Sequence, residues 1–260
     1  MVQYIDLSVA IEHQLPVDPP VQRARIEYMD HDASVDGMLA FFPGVQKRDL
    51  PDGKGWAVET ITLSTHTGTH VDAPYHYHPT MNGTERAWTI DEVPLDWFFG
   101  NGVLVDFSDR PDGYVCTPQD FIDYFEKIHY QLKPNDIVLV RTSAMRYWGS
   151  EQYFHAGCGI GREATLWLID QGVHLTGTDA WSWDTPLSKE AEQFSRTKDA
   201  GIIWEGHKAG RVKAYCHIEK LANLDRLPPY GFRVVALPVK IHRASAGWTR
   251  VVAILDGENR

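Results

Sequence analysis

Apolar and polar positions along this chain switch between two periods, and the switches mark out the elements. Residues 56–64 alternate apolar and polar with β-branched enrichment, which predicts a half-buried strand running straight into a histidine-rich loop. Residues 4–10 predict a short strand, and the unbroken apolar runs at 103–106, 136–141 and 173–177 predict buried ones. Between them, Thr117 as N-cap, Pro118 at the first helical position and Asp120 in the first turn open a helix whose apolar face carries Phe121, Phe125 and Ile128. A second helix is predicted over 162–171, closed by Gly172. Near the end, 232–241 and 248–255 read as a strand pair, with Pro238 at a bulge or edge where a missing donor is tolerated.

Strand and helix in alternation predict an α/β fold. With no repeat, low-complexity tract or long linker, residues 1–260 read as one domain. Pro16, Pro19, Pro20 and the charged stretch after them predict an extended arm over about 10–35, of a kind that packs on a partner subunit and makes a homodimer or homotetramer the expected assembly. Residues 37–44, apolar and bounded by glycines and Pro43, are too short for a helix and suit a wall over a cavity or a core loop.

Composition narrows the function. A net charge of -10 argues against nucleic acid, which needs clustered Lys and Arg, and leaves a small molecule as the expected partner. Cys116, Cys158 and Cys216 are widely spaced and form no CxxC pair, so neither a disulfide framework nor a thiolate zinc site is implied. A reducing cytosol is the expected setting. The amino terminus lacks a positively charged lead and no apolar run reaches about 18 residues, so neither export nor a membrane span is expected.

The informative segment is THTGTHVDAPYHYH, residues 65–78, which packs His66, His70, His76 and His78 around Asp72. His66 and His70 are spaced for a helical turn, whereas His70 and Asp72 are spaced for a strand. Gly68 and Pro74 exclude one regular helix. A loop wrapped around an ion reconciles these spacings, because Gly68 permits a tight turn and Pro74 fixes the exit so that His76 points back toward Asp72. Imidazoles with a carboxylate suit Zn(II) or Mn(II) better than Ca(II) or Mg(II). Such an ion lowers the pKa of a bound water to about 7 and polarises a carbonyl. Asp72 is placed to bridge two ions, and His78 reads as a supporting or surface residue.

These residues resemble the HxGTHxDxPxH motif of the cyclase family of metal-dependent hydrolases, which includes bacterial kynurenine formamidase and isatin hydrolase. Asp6-Leu-Ser8, the GTDA segment at 177–180, the EKLANLDRLP segment at 219–228 and the ALPVK segment at 236–240 extend the likeness over most of the chain. The resemblance implies a mixed sheet curled into a barrel-like core with helices outside. It also implies a ligand set: His66, His70 and Asp72 on one ion, and Asp72, His76, His207 and Glu219 on the other. His217 and Glu205 compete with the last two, and only the family spacing ranks them lower. Isatin hydrolases lack the acidic ligand, so Glu219 favours two ions or a glutamate base.

The expected reaction is opening of a small cyclic amide, imide or lactone, with His76 or Glu219 carrying the proton to the leaving group. An arylformamidase and a metal-binding protein without turnover are the alternatives. Phe41, Phe42, Trp56, Tyr75, Phe154, Trp181 and Trp183 are candidates for an aromatic pocket, and Asp179 for orienting a ligand or holding substrate.

Overall fold

A computed structural model describes residues 1–255. Nine strands form one sheet: β1 (Gln3–Asp6), β2 (His70–Asp72), β3 (Phe99–Asp106), β4 (Ile137–Arg141), β5 (Leu175–Thr178), β6 (Cys216–Glu219), β7 (Phe232–Val235), β8 (Ala246–Trp248) and β9 (Val252–Leu255). Their order is β1-β9-β7-β3-β4-β5-β6-β2-β8. The four from β3 to β6 run parallel, and the remaining pairs are antiparallel. The sheet curls into a half-barrel: a bridge between Ser8 and Leu221 ties the exit of β1 to the exit of β6, and Thr249 donates to the carbonyl of Thr69.

The central strands are apolar without alternation because both faces are covered. On one face Val103, Val105, Val138 and Val140 pack against Phe121, Phe125, Ala164 and Leu168. These come from helices α3 (Pro118–Lys127) and α4 (Arg162–Asp170), which follow two shorter ones, α1 (Val35–Leu39) and α2 (Pro74–Tyr77). Each buried Val, Leu or Phe among them contributes about 1.5–3 kcal/mol. On the other face Leu104, Ile137 and Leu139 join Ile5, Leu7, Val71 and Ile218. The start of α3 closes as a capping box, with Thr117 Oγ1 accepting from Asp120 N and Asp120 Oδ2 accepting from Thr117 N at 2.9 Å. Helix α5 (Leu187–Thr197) precedes α6 (Glu205–Val212), which packs beside α4 and α2.

Four expectations change. The strand expected over 56–64 exists as Val58–Thr62, but all five residues are exposed, because it pairs only with Arg25–Met29 in a two-stranded antiparallel ribbon outside the main sheet. The arm expected over 10–35 therefore contains a strand. The expected pairing of 232–241 with 248–255 holds for β7 with β9 alone. Ala246–Trp248 crosses to the far edge of the sheet beside β2, and Pro238 lies beyond the end of β7. Residues 37–44 begin inside α1. No helix among the described residues is long and apolar enough to cross a membrane.

Candidate metal centre

The site is built on two antiparallel strands. In the register of β2 against β6, Asp72 faces His217 and His70 faces Glu219, two cross-strand pairs on one face, while Val71 and Ile218 turn to the core on the other. On its other edge β2 pairs with β8, setting Ala246 opposite Asp72. Gly68, at φ +66°, makes the turn that brings His66 back over the strand. Pro74 opens the single turn α2, which carries His76 to the same place. His207 comes from α6.

The two oxygens of Asp72 address different imidazoles. Oδ1 lies 2.9 Å from His66 Nδ1 and 3.3 Å from His70 Nε2. Oδ2 lies 3.1 Å from His217 Nε2 and 3.8 Å from both His76 Nε2 and His207 Nε2. Glu219 completes the second set, 3.2 Å from His217 and 3.7 Å from His207. Two groups thus have ligand atoms close enough to share an ion: Asp72, His207, His217 and Glu219, and His66, Asp72 and His76.

Outer nitrogens are occupied, which fixes the tautomers. His70 Nδ1 donates to the Gly68 carbonyl at 2.8 Å. His207 Nδ1 is held by Asp184, and His217 Nδ1 meets the hydroxyls of Tyr77 and Tyr215 at 3.2 and 3.3 Å. Each therefore turns a bare Nε2 inward. His66 is reversed, with Nε2 3.1 Å from Ser245 Oγ and Nδ1 inward.

Among the described residues, His70 Nε2, His217 Nε2 and both Asp72 oxygens are buried without an aligned hydrogen-bond partner. Groups of that kind cost free energy unless a cation pairs with them. Burial opposes charge on His217, yet the close Asp72 and Glu219 carboxylates push its pKa up to about 9. Burial likewise opposes charge on His66, whose pKa Asp72 nevertheless raises. Asp72 is held well below the usual carboxylate range in spite of burial, by His76, His66 and His70. Burial keeps His76 neutral, with a pKa near 3. Excess negative charge with inward imidazole nitrogens fits a divalent ion, for which a proton is the competitor.

Of the expected ligands, all six meet here. His217, ranked below His207 and Glu219, belongs with them. Glu205 does not; it accepts from Arg162 N at 3.1 Å, and His78 instead bonds Thr80 Oγ1 at 2.9 Å. The expected pocket residues scatter. Phe41 and Trp56 pack on each other at 5.8 Å, and these two, Phe42 and Tyr75 are substantially exposed. Phe154 meets the neighbouring His155 ring at a tilt of 44°, and Trp181 donates to Asp18. Trp183 does reach the site, fully buried, stacked on His217 and donating its backbone N–H to Glu219 at 3.0 Å. Asp179 accepts from Thr142 N and Oγ1 at 2.7 Å each and so clasps the end of β4.

Comparison with known proteins agrees with this picture. Residues 5–185 match the family model described as "Putative cyclase". The chain is similar to kynurenine formamidase of Salinibacter ruber, 29% identical over 231 residues, covering 86% of this chain and 95% of that protein. It is 31% identical over 206 residues to kynurenine formamidase of Erythrobacter litoralis, covering 78% and 79%. Among solved structures, an isatin hydrolase bound to the product analogue thioisatinate has a TM-score of 0.75 at 18% identity, covering 98% of this chain and 93% of that one. Isatin hydrolase A of Ralstonia solanacearum has a TM-score of 0.74 at 23% identity, covering 98% and 92%. With its motif, its half-barrel and this match over more than half its length, the chain belongs to the cyclase family of metal-dependent hydrolases.

Proposed function

We propose that this protein hydrolyses the C–N bond of a small amide, opening a cyclic amide or imide, with divalent ions such as Zn(II) or Mn(II) around Asp72. The observation that carries the reading is the division of Asp72: Oδ1 toward His66 and His70, Oδ2 toward His76, His207 and His217. Those residues, with Glu219, would hold one or two ions. A bound ion supplies Lewis acidity at the carbonyl and lowers the pKa of water at the site to about 7.

The protein's own groups divide the remaining work. Glu219 is engaged by Trp183 N–H, His217 and His207, which suits a ligand better than a mobile proton carrier. His76 is 22% exposed at the mouth, so of the two candidates it is the better placed to meet the departing nitrogen, and in that role it would carry the proton in place of holding an ion. Buried walls from Tyr77, Trp183 and Tyr215 lower the local dielectric and strengthen each charge contact.

Similarity over nearly the full length of isatin hydrolases favours ring opening. Formamide hydrolysis is the second reading, favoured by the two kynurenine formamidases. The test is elemental analysis of wild type and Asp72→Ala, coupled to hydrolysis of formamides, imides, isatin and lactones. Metal lost together with ring opening supports the proposal, and formate release from formamides alone supports the second reading. Stoichiometric metal with no turnover would leave a binding protein; no metal in a folded wild type sinks the site.

Self-association is part of the same proposal. The antiparallel ribbon of Arg25–Met29 with Val58–Thr62 leaves Tyr28, Met29, Val58 and Ile61 exposed, and a lone two-stranded ribbon is marginally stable in water. Sedimentation equilibrium returning a monomer counts against it.

A further inference from the structure

We propose that Trp204 selects substrates at the mouth of the metal centre and that Glu190 is the positioning residue that holds it there. The proposal rests on the amide-hydrolase reading above. Of the candidate ligands, His66 and His76 have 20% and 22% of their side chains exposed, whereas His70, Asp72, His207, His217 and Glu219 have 8% or less. A substrate therefore approaches past His66 and His76, whose rings are 4.1 Å apart. Trp204 stands on that rim. Its indole meets His76 edge-on at 5.1 Å and stacks on His207 at 4.2 Å, 13° from parallel. It is half-buried.

The backbone shows that this placement is imposed. Trp204 is the N-cap of α6 at φ 57° and ψ 39°, a left-handed conformation that costs a bulky residue free energy. Its N–H donates to both Glu190 oxygens, at 3.2 Å each. Glu190 is 5% exposed on α5, and a carboxylate buried to that degree needs a defined partner. One turn into α6, His207 follows Trp204, so the helix couples rim and ligand. An aromatic edge and face beside His76 match an amide fused to a flat aromatic ring better than an aliphatic ring of the same functional group.

The test compares phthalimide with succinimide, whose hydrolysis adds one water across a C–N bond to give phthalamate and succinamate. Wild type, Trp204→Ala, Trp204→Phe, Glu190→Ala and Glu190→Gln are loaded with Zn(II) or Mn(II), and metal content is verified by elemental analysis. Turnover is measured for both imides, and binding of both amic acids by calorimetry. Trp204→Ala should lower the phthalimide to succinimide ratio of kcat/KM about tenfold, mainly through KM, and weaken phthalamate relative to succinamate by a similar factor. Trp204→Phe should recover most of the ratio, Glu190→Ala should resemble Trp204→Ala, and Glu190→Gln, which keeps an acceptor, should resemble wild type. Equal losses for both compounds, or none, overturn the proposal. If metal-loaded wild type turns over neither imide, the hydrolase reading is at fault, and the amic-acid affinities still decide Trp204: a wild type that binds neither, or binds both as Trp204→Ala does, overturns it.

Discussion

Asp184 grips His207 at both backbone and ring. One oxygen accepts the His207 backbone N–H at 3.0 Å and meets Nδ1 of its ring, while the other accepts the Gly206 N–H at 2.5 Å. The carboxylate thus satisfies free donors at the start of α6 and fixes the tautomer that leaves Nε2 for an ion. Asp184→Ala should weaken metal binding by about 10–100-fold. Competition with a chromogenic chelator measures this, and unchanged affinity in a folded variant would show that the grip is dispensable.

Because the two Asp72 oxygens face different imidazoles, the ligand histidines should separate by ion. His66→Ala should lose one ion and spare the other, His217→Ala should do the reverse, and Asp72→Ala should lose both. Metal content per chain after dialysis is the readout. Identical losses in the two histidine variants would count against separate positions.

The buried pair Asp18 and Lys220, 2% and 1% exposed and 2.5 Å apart, ties the amino-terminal segment to the centre, since Lys220 Nζ also donates to the His66 carbonyl at 2.8 Å. Asp18→Ala leaves an ammonium uncompensated in the interior and should cost about 3–5 kcal/mol. Urea unfolding checks it, and a loss below about 1 kcal/mol, the worth of an exposed pair, would show that the site relaxes around the change.

Burial raises the pKa of Asp179 from 3.8 to about 7, against the lowering effect of its bonds from Thr142. The folded state therefore favours the protonated acid, and the resulting stability, full below about 4, is lost as pH rises to about 7. Asp179→Asn mimics the neutral acid and keeps an acceptor for Thr142. The stability of wild type relative to this variant should fall between pH 4 and 7, and a flat difference would mean that Asp179 is ionised throughout.

Local chemistry was legible in the sequence and contacts across the fold were not. Thr117, Pro118 and Asp120 announce a helix start because a cap depends on near neighbours, and Gly68 and Pro74 shape the ligand loop for the same reason. His217 stands two residues before Glu219, so strand alternation already places both on one face. What no local pattern carries is that β6 would lie beside β2. Asp184, Trp204 and Lys220 act through contacts that exist only after the sheet has formed. The outlying strand at Val58–Thr62 shows the converse, since its alternation is genuine but its covering is not set by sequence period.

Strand pairing also makes the centre a record of correct assembly. With β2 held between β6 and β8, a slip of one residue on either edge would turn Asp72 toward the apolar side and Val71 toward the imidazoles. Only the native alignment brings these candidate ligands together, so on the proposed reading metal offered while the chain folds would act as a proofreader. It should raise the yield of native protein on refolding more than the same metal added afterwards.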